Sequence, residues 1–360
     1  MTDQIIRRNA KAVKVGNIFL GGEHPIAIQS MTNTDTHDYN STARQILELQ
    51  SAGCNIIRIT LPTPESVDTV YRLKNDPQIR IPIVGDIHFD YRIAIAAAEA
   101  GIDKIRINPG NIGSDERVKA VADACRQRNI PIRIGVNSGS VEKQILAKHG
   151  GPTPEALCES AMYHASLLEK FDFNDIVISV KASDPLSTIL SYRTLAQMCD
   201  YPLHLGVTEA GGAESGAIKS AVGIGTLLAE GIGDTIRVSL TAEPVKEIYA
   251  AKSILSSLDL LADKGLEIVS CPTCGRTKID LISLLERFER AVDDHGLRSV
   301  RAKVALMGCV VNGPGEAKEA DIGIAGGIGE AVFFKHGEIV KKISEEEIIG
   351  TLVSELEALR

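Results

Sequence analysis

The chain has 360 residues, of which 44% are hydrophobic and 24% charged, and its formal net charge at pH 7 is −8. This composition is ordinary for a globular protein, and the length accommodates an α/β barrel of about 250 residues with a smaller second domain. The acidic balance argues against general affinity for nucleic acid. No apolar run approaches about 18 residues and the N-terminus lacks an apolar signal core, so we expect a cytoplasmic protein without membrane binding.

Near the N-terminus, two short apolar runs flank Gly16-Asn17, which predicts a hairpin over residues 12–24. From Pro25 onward, short β-branched runs alternate with amphipathic segments of helix length, as in βα units around a parallel sheet. Eight runs are predicted strands: 26–29, 55–60, 83–88, 104–108, 132–137, 176–181, 203–208 and 235–240. Eight βα units predict an N-terminal TIM (β/α)8 barrel, with the hairpin capping its bottom.

The intervening helices carry start and stop signals. Starts are predicted at Ser114, Thr153 and Glu243, and ends at Gly53 and Gly101. After Cys274 the pattern predicts a helix over 278–295, strands near 303–306 and 322–325, a hairpin around 335–337 and a last helix opened by a capping box from Ser344 to Glu347. We therefore predict a substrate-binding barrel over residues 1–262 and a small metal-binding α/β domain over residues 263–360.

Cations interrupt the predicted barrel strands, although strands of a closed parallel barrel should be almost entirely apolar. They are Arg58, Arg106, Arg133, Lys181 and Arg237. Any one of them could form an ion pair with a neighbouring carboxylate, but five exceed the obvious partners, Asp86 and Glu209. Burying surplus cations is costly without an anion, so we infer an anion site at the C-terminal mouth of the barrel. Arginine suits phosphate oxygens, and the number of cations favours a diphosphate.

Polar residues follow the same strand ends. Asp86 and His88 are two apart in an extended segment, so their side chains point to one face. They could act as general base and acid, or pair with neighbouring arginines. Asn137 ends another strand, and Thr208-Glu209 precede a glycine-rich stretch over residues 210–216. That stretch could present backbone N–H groups to phosphate at a helix start, or form a flexible lid.

Seven cysteines are spread along the chain, and an odd number without an export signal favours reduced thiols over disulfides. Cys54, Cys125, Cys158 and Cys199 lie in apolar or helical contexts and are expected to be small buried residues. The candidate metal ligands are Cys271, Cys274, Cys309 and Glu316.

The Cys271-Pro272-Thr273-Cys274 motif alone is compatible with structural zinc, a redox pair or an iron–sulfur cluster. A zinc ribbon supplies its ligands as two short pairs, whereas Cys309 stands alone. The turn over residues 313–315 would let Glu316 face the same metal. Three thiolates and a carboxylate suit a [4Fe–4S] cluster with an exchangeable oxygen ligand on one iron, where a substrate could bind.

Several motifs together resemble a known family. They are QSMTNT at 29–34, DIHFDYR at 86–92, RINPGNIG at 106–113, TEAGG at 208–212, CPTC at 271–274 and GCVVNGPGE at 308–316. The chain is similar over nearly its whole length to bacterial 4-hydroxy-3-methylbut-2-enyl diphosphate synthases, which act in the methylerythritol phosphate route to isoprenoids. The resemblance implies a TIM barrel followed by a domain similar to the cluster-binding modules of sulfite and nitrite reductases. The chain resembles the two-domain bacterial form of this family.

The resemblance also implies an activity. The family reductively opens 2-C-methyl-D-erythritol 2,4-cyclodiphosphate with loss of water, using two electrons from flavodoxin or ferredoxin that pass through a [4Fe–4S] cluster. It forms head-to-tail homodimers in which one subunit's cluster domain closes the other's barrel mouth.

Residue roles follow from the same resemblance. The implied cluster ligands are Cys271, Cys274, Cys309 and Glu316, with Glu316 also catalytic at the open iron. The implied substrate contacts are Arg58, Arg106, Arg133, Asn137, Lys181, Thr208, Arg237 and Ser239. Asp86, His88 and Glu209 would line the reacting carbons and move protons.

From the residues alone, two other classes of protein stay open. One is a non-redox barrel, such as a pterin-binding transferase, whose terminal domain is held by structural zinc. The other is a metal-stabilised binding protein for diphosphate esters that performs no chemistry. Anaerobically purified protein that is brown and contains about four irons per chain would favour the iron–sulfur reductase.

Overall fold

The computed structural model describes residues 5–261, 265–310 and 318–360. The chain divides into two units, Met1–Ala262 and Asp263–Arg360. In the described ranges, no helix has the length and apolar character needed to cross a membrane. The predicted residue Glu316 lies outside these ranges.

An antiparallel hairpin precedes the barrel, as predicted. It consists of β1 (Val13–Val15) and β2 (Ile18–Leu20), joined by a turn in which Gly16 has a φ of +56°. The buried side chains of Val13, Val15 and Leu20 pack on residues near the N-terminal ends of barrel strands, namely Ala27, Ile56, Val84 and Val177. The hairpin therefore closes the bottom of the barrel.

Eight parallel strands form the sheet of the first unit. They are β3 (Ala27–Met31), β4 (Ile56–Thr60), β5 (Ile83–Asp86), β6 (Lys104–Ile107), β7 (Ile132–Asn137), β8 (Ile176–Lys181), β9 (His204–Leu205) and β10 (Thr235–Ile236). Their order is β8-β7-β6-β5-β4-β3-β10-β9. A parallel bridge between Ile178 and Leu203 joins the two edges, so the ring is nearly closed. The predicted TIM barrel is confirmed.

The last two strands are shorter than the predicted runs 203–208 and 235–240. β9 ends at Leu205, before Gly206, whose missing side chain leaves room for Lys181. β10 ends at Ile236, and the backbone N–H of Leu240 donates to the side chain of Glu247 instead of to a neighbouring strand. Contacts with side chains at the mouth of the barrel thus take the place of the last strand-to-strand hydrogen bonds expected for these two runs.

Helices surround the barrel and their bounds follow the predicted signals. They are α1 (Tyr39–Ser51), α2 (Ser66–Lys74), α3 (Tyr91–Glu99), α4 (Pro109–Ile112), α5 (Asp115–Gln127), α6 (Lys143–His149), α7 (Pro154–Glu169), α8 (Pro185–Met198), α9 (Ala213–Ala229) and α10 (Pro244–Ser257). Thr153 caps α7 by accepting the N–H of Ala156, and Gly53 and Gly101 follow α1 and α3 with positive φ. The large apolar core lies between these helices and the strands.

The second unit is built on a five-stranded mixed sheet. Its elements are β11 (Glu267–Ser270), α11 (Leu281–Asp294), β12 (Lys303–Met307), β13 (Ile322–Gly326), β14 (Glu330–Lys335), β15 (Glu338–Ser344) and α12 (Ile348–Ala358). β11, β12 and β13 are parallel, whereas β14 and β15 continue the sheet antiparallel. Apolar residues of α11 and α12 form the core with the sheet.

Most of this unit agrees with the predicted pattern. Ser344 and Glu347 form the expected capping box, which opens a short 3-10 turn before α12. β11 was not predicted, because it is a four-residue edge strand whose residues are exposed or half-buried and carry no clear alternation.

Candidate functional site

The strand register brings cations together inside the barrel. Arg58 pairs with Met31, Arg106 with both Asp86 and Arg133, and Lys181 with Asn137. The group comprises Arg58, Lys104, Arg106, Arg133, Lys181 and Arg237, each buried or half-buried. Lys104 was missed as a member of this group, although its alternation with Arg106 in Lys104-Ile105-Arg106-Ile107 was a usable signal, since alternate residues of a strand share a face.

Asp86 lies between two of these arginines. Arg106 Nη1 is 3.2 Å from Asp86 Oδ1, and Arg58 Nη2 donates a short hydrogen bond to Asp86 Oδ2. Burial tends to raise the pKa of this carboxyl, but the charges of Arg58 and Arg106 and the hydrogen bond from Arg58 outweigh it and lower the pKa to about 2. Of the two roles considered for Asp86, the structure displays the pairing with arginines. Its part in proton transfer stays a prediction.

A second carboxylate was missed in the sequence. Glu247 of α10 is buried and pairs with Arg237, whose Nε and Nη2 are each 3.3 Å from its oxygens. It also accepts the hydroxyl of Ser30 at 2.8 Å. The usable signal was a glutamate on the apolar face of α10, beside Ile248 and Ala251.

Several buried donors in the barrel have no hydrogen-bond partner among the residues that the structure describes. They include Lys104 Nζ and the Nε and Nη1 atoms of Arg133. Both ring nitrogens of buried His204 are also without partners there. Burial, with the charge of Arg133 nearby, holds the pKa of Lys104, Lys181 and His204 well below their ordinary values. Because unpaired buried donors are costly, this interior is suited to receive an anion.

Two glycines make room for the cations. A Cβ on Gly135 would lie 2.4 Å from Arg106 Nε, and one on Gly206 would lie 2.5 Å from Lys181 Nζ. Arg106 Nη2 also donates to the carbonyl of Gly135 at 2.8 Å. The long side chains therefore lie directly against the backbone of neighbouring strands, which fixes where their charged ends point.

The other predicted site residues lie at the C-terminal end of the strands. His88 is exposed and its Nε2 is 3.5 Å from Arg106 Nη1, so it joins the Asp86 group. Asn137 ends β7, while Thr208 and Ser239 are half-buried beyond β9 and β10. Glu209 is exposed and has a φ of +52°, in the left-handed region. The glycine-rich stretch after it leads into α9, with Gly212 at the N-cap, so it does lie at a helix start, while its binding of phosphate stays a prediction.

In the second unit, the ends of two parallel strands bring cysteine segments together. Cys271 follows β11, and Cys309 lies two residues beyond β12. The backbone N–H of Gly308 donates to Cys271 Sγ at 3.2 Å. Cys274 is exposed, and hydrogen bonds from the backbone and then the side chain of Arg276 lower the pKa of its thiol.

The thiols fit an iron–sulfur cluster by their chemistry. All three are free and at least partly exposed, and one already accepts a backbone N–H, as cluster sulfurs commonly do. Over residues 5–261, 265–310 and 318–360, no three His, Cys, Asp or Glu side chains are gathered closely enough to hold a metal ion. The structure thus brings Cys271 beside the segment of Cys309, but it does not gather the three described thiols, Cys271, Cys274 and Cys309, into one site.

The remaining cysteines have no such setting. Cys54, Cys125 and Cys158 are buried, as expected, and burial raises the pKa of each thiol to about 12. Cys199 was expected to be buried as well, but it is only half-buried, at the C-cap of α8. Buried thiols of this kind are inert.

Two known proteins are similar to this chain over almost its full length. One is the 4-hydroxy-3-methylbut-2-en-1-yl diphosphate synthase (flavodoxin) of Ruminiclostridium cellulolyticum, with 55% identity over 99% of each chain. The protein of the same name from Clostridium perfringens is 55% identical over 98% of this chain and 99% of its own.

Structural similarity supports the first unit's fold alone. Type I 3-dehydroquinate dehydratase from Clostridium difficile superposes with a TM-score of 0.51 at 14% identity, over 69% of this chain and 98% of its own.

Residues 10–252 match the family described as the GcpE TIM-barrel domain, and residues 267–358 match the GcpE protein C-terminal domain. The chain therefore belongs to the GcpE family.

Proposed function

We propose that this chain catalyses the reductive ring opening and dehydration of 2-C-methyl-D-erythritol 2,4-cyclodiphosphate to 4-hydroxy-3-methylbut-2-enyl diphosphate. Family membership and the relatives named as this synthase support the activity. The structural observation that carries it is the buried group of cations with unpaired donors inside the barrel. A cyclic diphosphate supplies the negative charge and the acceptor oxygens that these cations lack.

The cations bind and orient the diphosphate. Arg133 and Lys181 are buried, and Arg133 offers unpaired N–H groups to phosphate oxygens. Arg58 and Arg106 are held by Asp86, so their positions are set before the substrate arrives. Asn137, Thr208 and Ser239 lie at the same end of the strands and supply neutral hydrogen bonds to the phosphates.

Ring opening with loss of water consumes two electrons and two protons. When bound, a [4Fe–4S] cluster supplies electrons singly, and Cys271, Cys274, Cys309 and Glu316 are the residues that would hold it. Asp86, with its pKa of about 2, is ionised at neutral pH and serves as counter-ion to the arginines. His88 and Glu209 are exposed at the mouth and are the residues we assign to proton movement.

Flavodoxin is the electron donor that the relatives' name specifies, and we assign it to this chain. We also propose a cytoplasmic, head-to-tail homodimer. A mixture of two inactive proteins tests the dimer, one carrying Cys309→Ser and the other Arg133→Met. Regained activity after subunit exchange supports a site shared between two chains, whereas a mixture that stays inactive while forming heterodimers contradicts it.

The activity itself is tested on protein purified without oxygen. We expect about four irons per chain, little zinc, and conversion of the cyclic diphosphate when flavodoxin and a reductant are added. A colourless zinc protein would contradict the redox activity. Cluster-loaded protein that binds the cyclic diphosphate but leaves it unchanged would leave only a binding function.

A further inference from the structure

A single buried carboxylate joins three parts of the barrel mouth. Glu247 Oε2 accepts from Ser30 Oγ at 2.8 Å and from Arg237 Nε at 3.3 Å. Glu247 Oε1 accepts from Arg237 Nη2 at 3.3 Å and from the backbone N–H of Leu240 at 3.2 Å. The carboxylate therefore contacts β3 and both ends of the segment 237–240.

That segment lacks the support that a strand would give it. The β10 ladder ends at Ile236, and after the N–H of Arg237 has donated to Leu205 O at 3.0 Å the parallel pairing stops. The segment nevertheless carries Arg237 and Ser239, both of which we assign to diphosphate binding. Their positions thus depend on contacts outside the sheet, and Glu247 supplies contacts at each end.

The paired guanidinium keeps a free side for a ligand. Glu247 engages Nε and Nη2 of Arg237, which fixes the plane of the guanidinium group. The third nitrogen, Nη1, is 3.5 Å from Met31 Sδ. Because a thioether is a weak acceptor, Nη1 keeps most of its capacity to donate to a phosphate oxygen.

We propose that Glu247 is a positioning residue for diphosphate binding, acting by fixing Arg237 and, through Leu240, the backbone that carries Ser239. The inference rests on the proposed function, which makes a diphosphate the ligand at this end of the barrel. Glu247 itself does not contact the substrate.

The direction in which diphosphate affinity changes when Glu247 is replaced distinguishes a positioning role from a purely electrostatic one. A carboxylate beside an anion site repels the anion, so by charge alone its removal would tighten diphosphate binding. If Glu247 positions Arg237 and Ser239, its removal weakens binding despite the added positive charge. The two accounts therefore predict opposite changes for Glu247→Gln.

The test uses cluster-loaded enzyme with two ligands. Calorimetry measures the Kd for inorganic diphosphate, and steady-state assays measure KM and kcat for the cyclic diphosphate. The matched control is Asp234→Asn, because Asp234 is equally buried, lies at the other end of β10 and accepts from Arg7 and from the N–H of Leu203. It removes a buried carboxylate next to β10 whose hydrogen bonds go to Arg7 and Leu203, whereas Glu247 lies on α10 and binds Arg237.

For Glu247→Gln we expect the Kd for diphosphate and the KM to rise about tenfold, with a much smaller change in kcat. Asp234→Asn should leave the Kd and KM near the wild-type values. An unchanged or lower Kd in Glu247→Gln, with the cluster absorption retained, overturns the proposal.

Glu247→Asp gives a second reading if Glu247→Gln does not fold. It keeps the charge but withdraws the carboxylate by one methylene, so it should also weaken diphosphate binding, and wild-type affinity would contradict positioning. The wild-type enzyme separates this inference from the proposed function. If wild type neither binds nor converts the cyclic diphosphate, the function fails, whereas an active wild type with equally tight variants refutes only the role of Glu247.

Discussion

The backbone N–H of Gly308 donates a hydrogen bond to the Sγ of Cys271, and this contact joins the ends of two parallel strands in the second unit. Thr277 lies against the same glycine, since a Cβ on Gly308 would be 2.8 Å from Thr277 Cγ2. The hydroxyl of Thr277 also accepts the N–H of Cys274 at 3.1 Å. Gly308 and Thr277 thus connect the segments of all three candidate thiol ligands.

We predict that Gly308→Ala lowers the iron content of anaerobically purified protein. The added methyl displaces either Thr277 or the backbone N–H of residue 308 that donates to Cys271 Sγ. Overpacking of this kind costs about 1–3 kcal/mol. Thr277→Ser removes the nearest methyl and should partly restore iron to the Gly308→Ala protein. Gly350→Ala is the control, since its Cβ meets nothing within 4 Å. Full iron content in Gly308→Ala would contradict the close fit.

Cys309→Ser should abolish the visible absorption of the cluster while leaving the circular dichroism of the barrel unchanged. A serine hydroxyl is a poorer match for iron in a sulfur cluster than a thiolate. Cys199→Ala, which alters a half-buried thiol at the end of α8, is the comparison and should keep its cluster. If the Cys309→Ser protein retains four irons and activity, Cys309 is not a ligand.

Asp86→Asn should destabilise the protein at pH 7 by about 3 kcal/mol, because it leaves Arg58 and Arg106 without their buried counter-ion. The pKa of Asp86 is lower in the folded protein, at about 2, than its ordinary 3.8. The folded state therefore binds fewer protons between these values, and the stability from Asp86 is complete above about pH 5 and lost as the pH falls towards 2.

Urea unfolding of wild type and Asp86→Asn at several pH values measures this effect. The difference in unfolding free energy should narrow by about 2 kcal/mol as the pH falls from 5 to 2. Asp123→Asn, which removes an ion-paired surface carboxylate on α5, should change stability little at any pH. A gap between wild type and Asp86→Asn that is independent of pH would show that Asp86 titrates normally.

Diphosphate binding should take up protons. Burial and the charge of Arg133 hold the pKa of Lys181 well below its ordinary value in the free protein. A bound diphosphate offsets both effects and raises that pKa, so the lysine gains a proton on binding at a pH that lies between its pKa values in the free and the bound protein. Calorimetric heats measured at a series of pH values below 10.5, in two buffers with different ionisation enthalpies, should therefore differ in part of the series. Equal heats, or an undiminished difference in Lys181→Met, would contradict this assignment.

The sequence predicted the barrel because its signals are local. Alternating β-branched runs and helix caps such as Thr153 depend on neighbours along the chain, and the structure confirms them. The cations of the barrel were equally visible, since charge among Ile and Val is unusual. Pairing of Asp86 with arginines was among the roles considered from the sequence, but the contacts of Glu247 were not predicted. Its hydrogen bond with Ser30 spans 217 positions, and Glu247 lies on a helix outside the strands.

The ends of elements show the same limit. The runs at 203–208 and 235–240 have strand composition, but the parallel pairing ends before Gly206 and Arg237. Lys181 of β8 lies against Gly206, and Glu247 of α10 binds Arg237 and the N–H of Leu240. Edge strand β11 was missed for the opposite reason, since its four residues need no apolar alternation. In each of these cases, contacts between residues far apart in the sequence determine where the strand lies or ends.

In the barrel, different residues provide conformational stability and ligand binding, and the cations inside the ring belong to the second group. Its apolar core lies outside the ring, between strands and helices, whereas Lys104 and Arg133 inside the ring are buried without partners for several donors in the described structure. These residues oppose folding until a ligand arrives. Apolar residues in their place would stabilise the fold, so their presence gives up conformational stability for affinity.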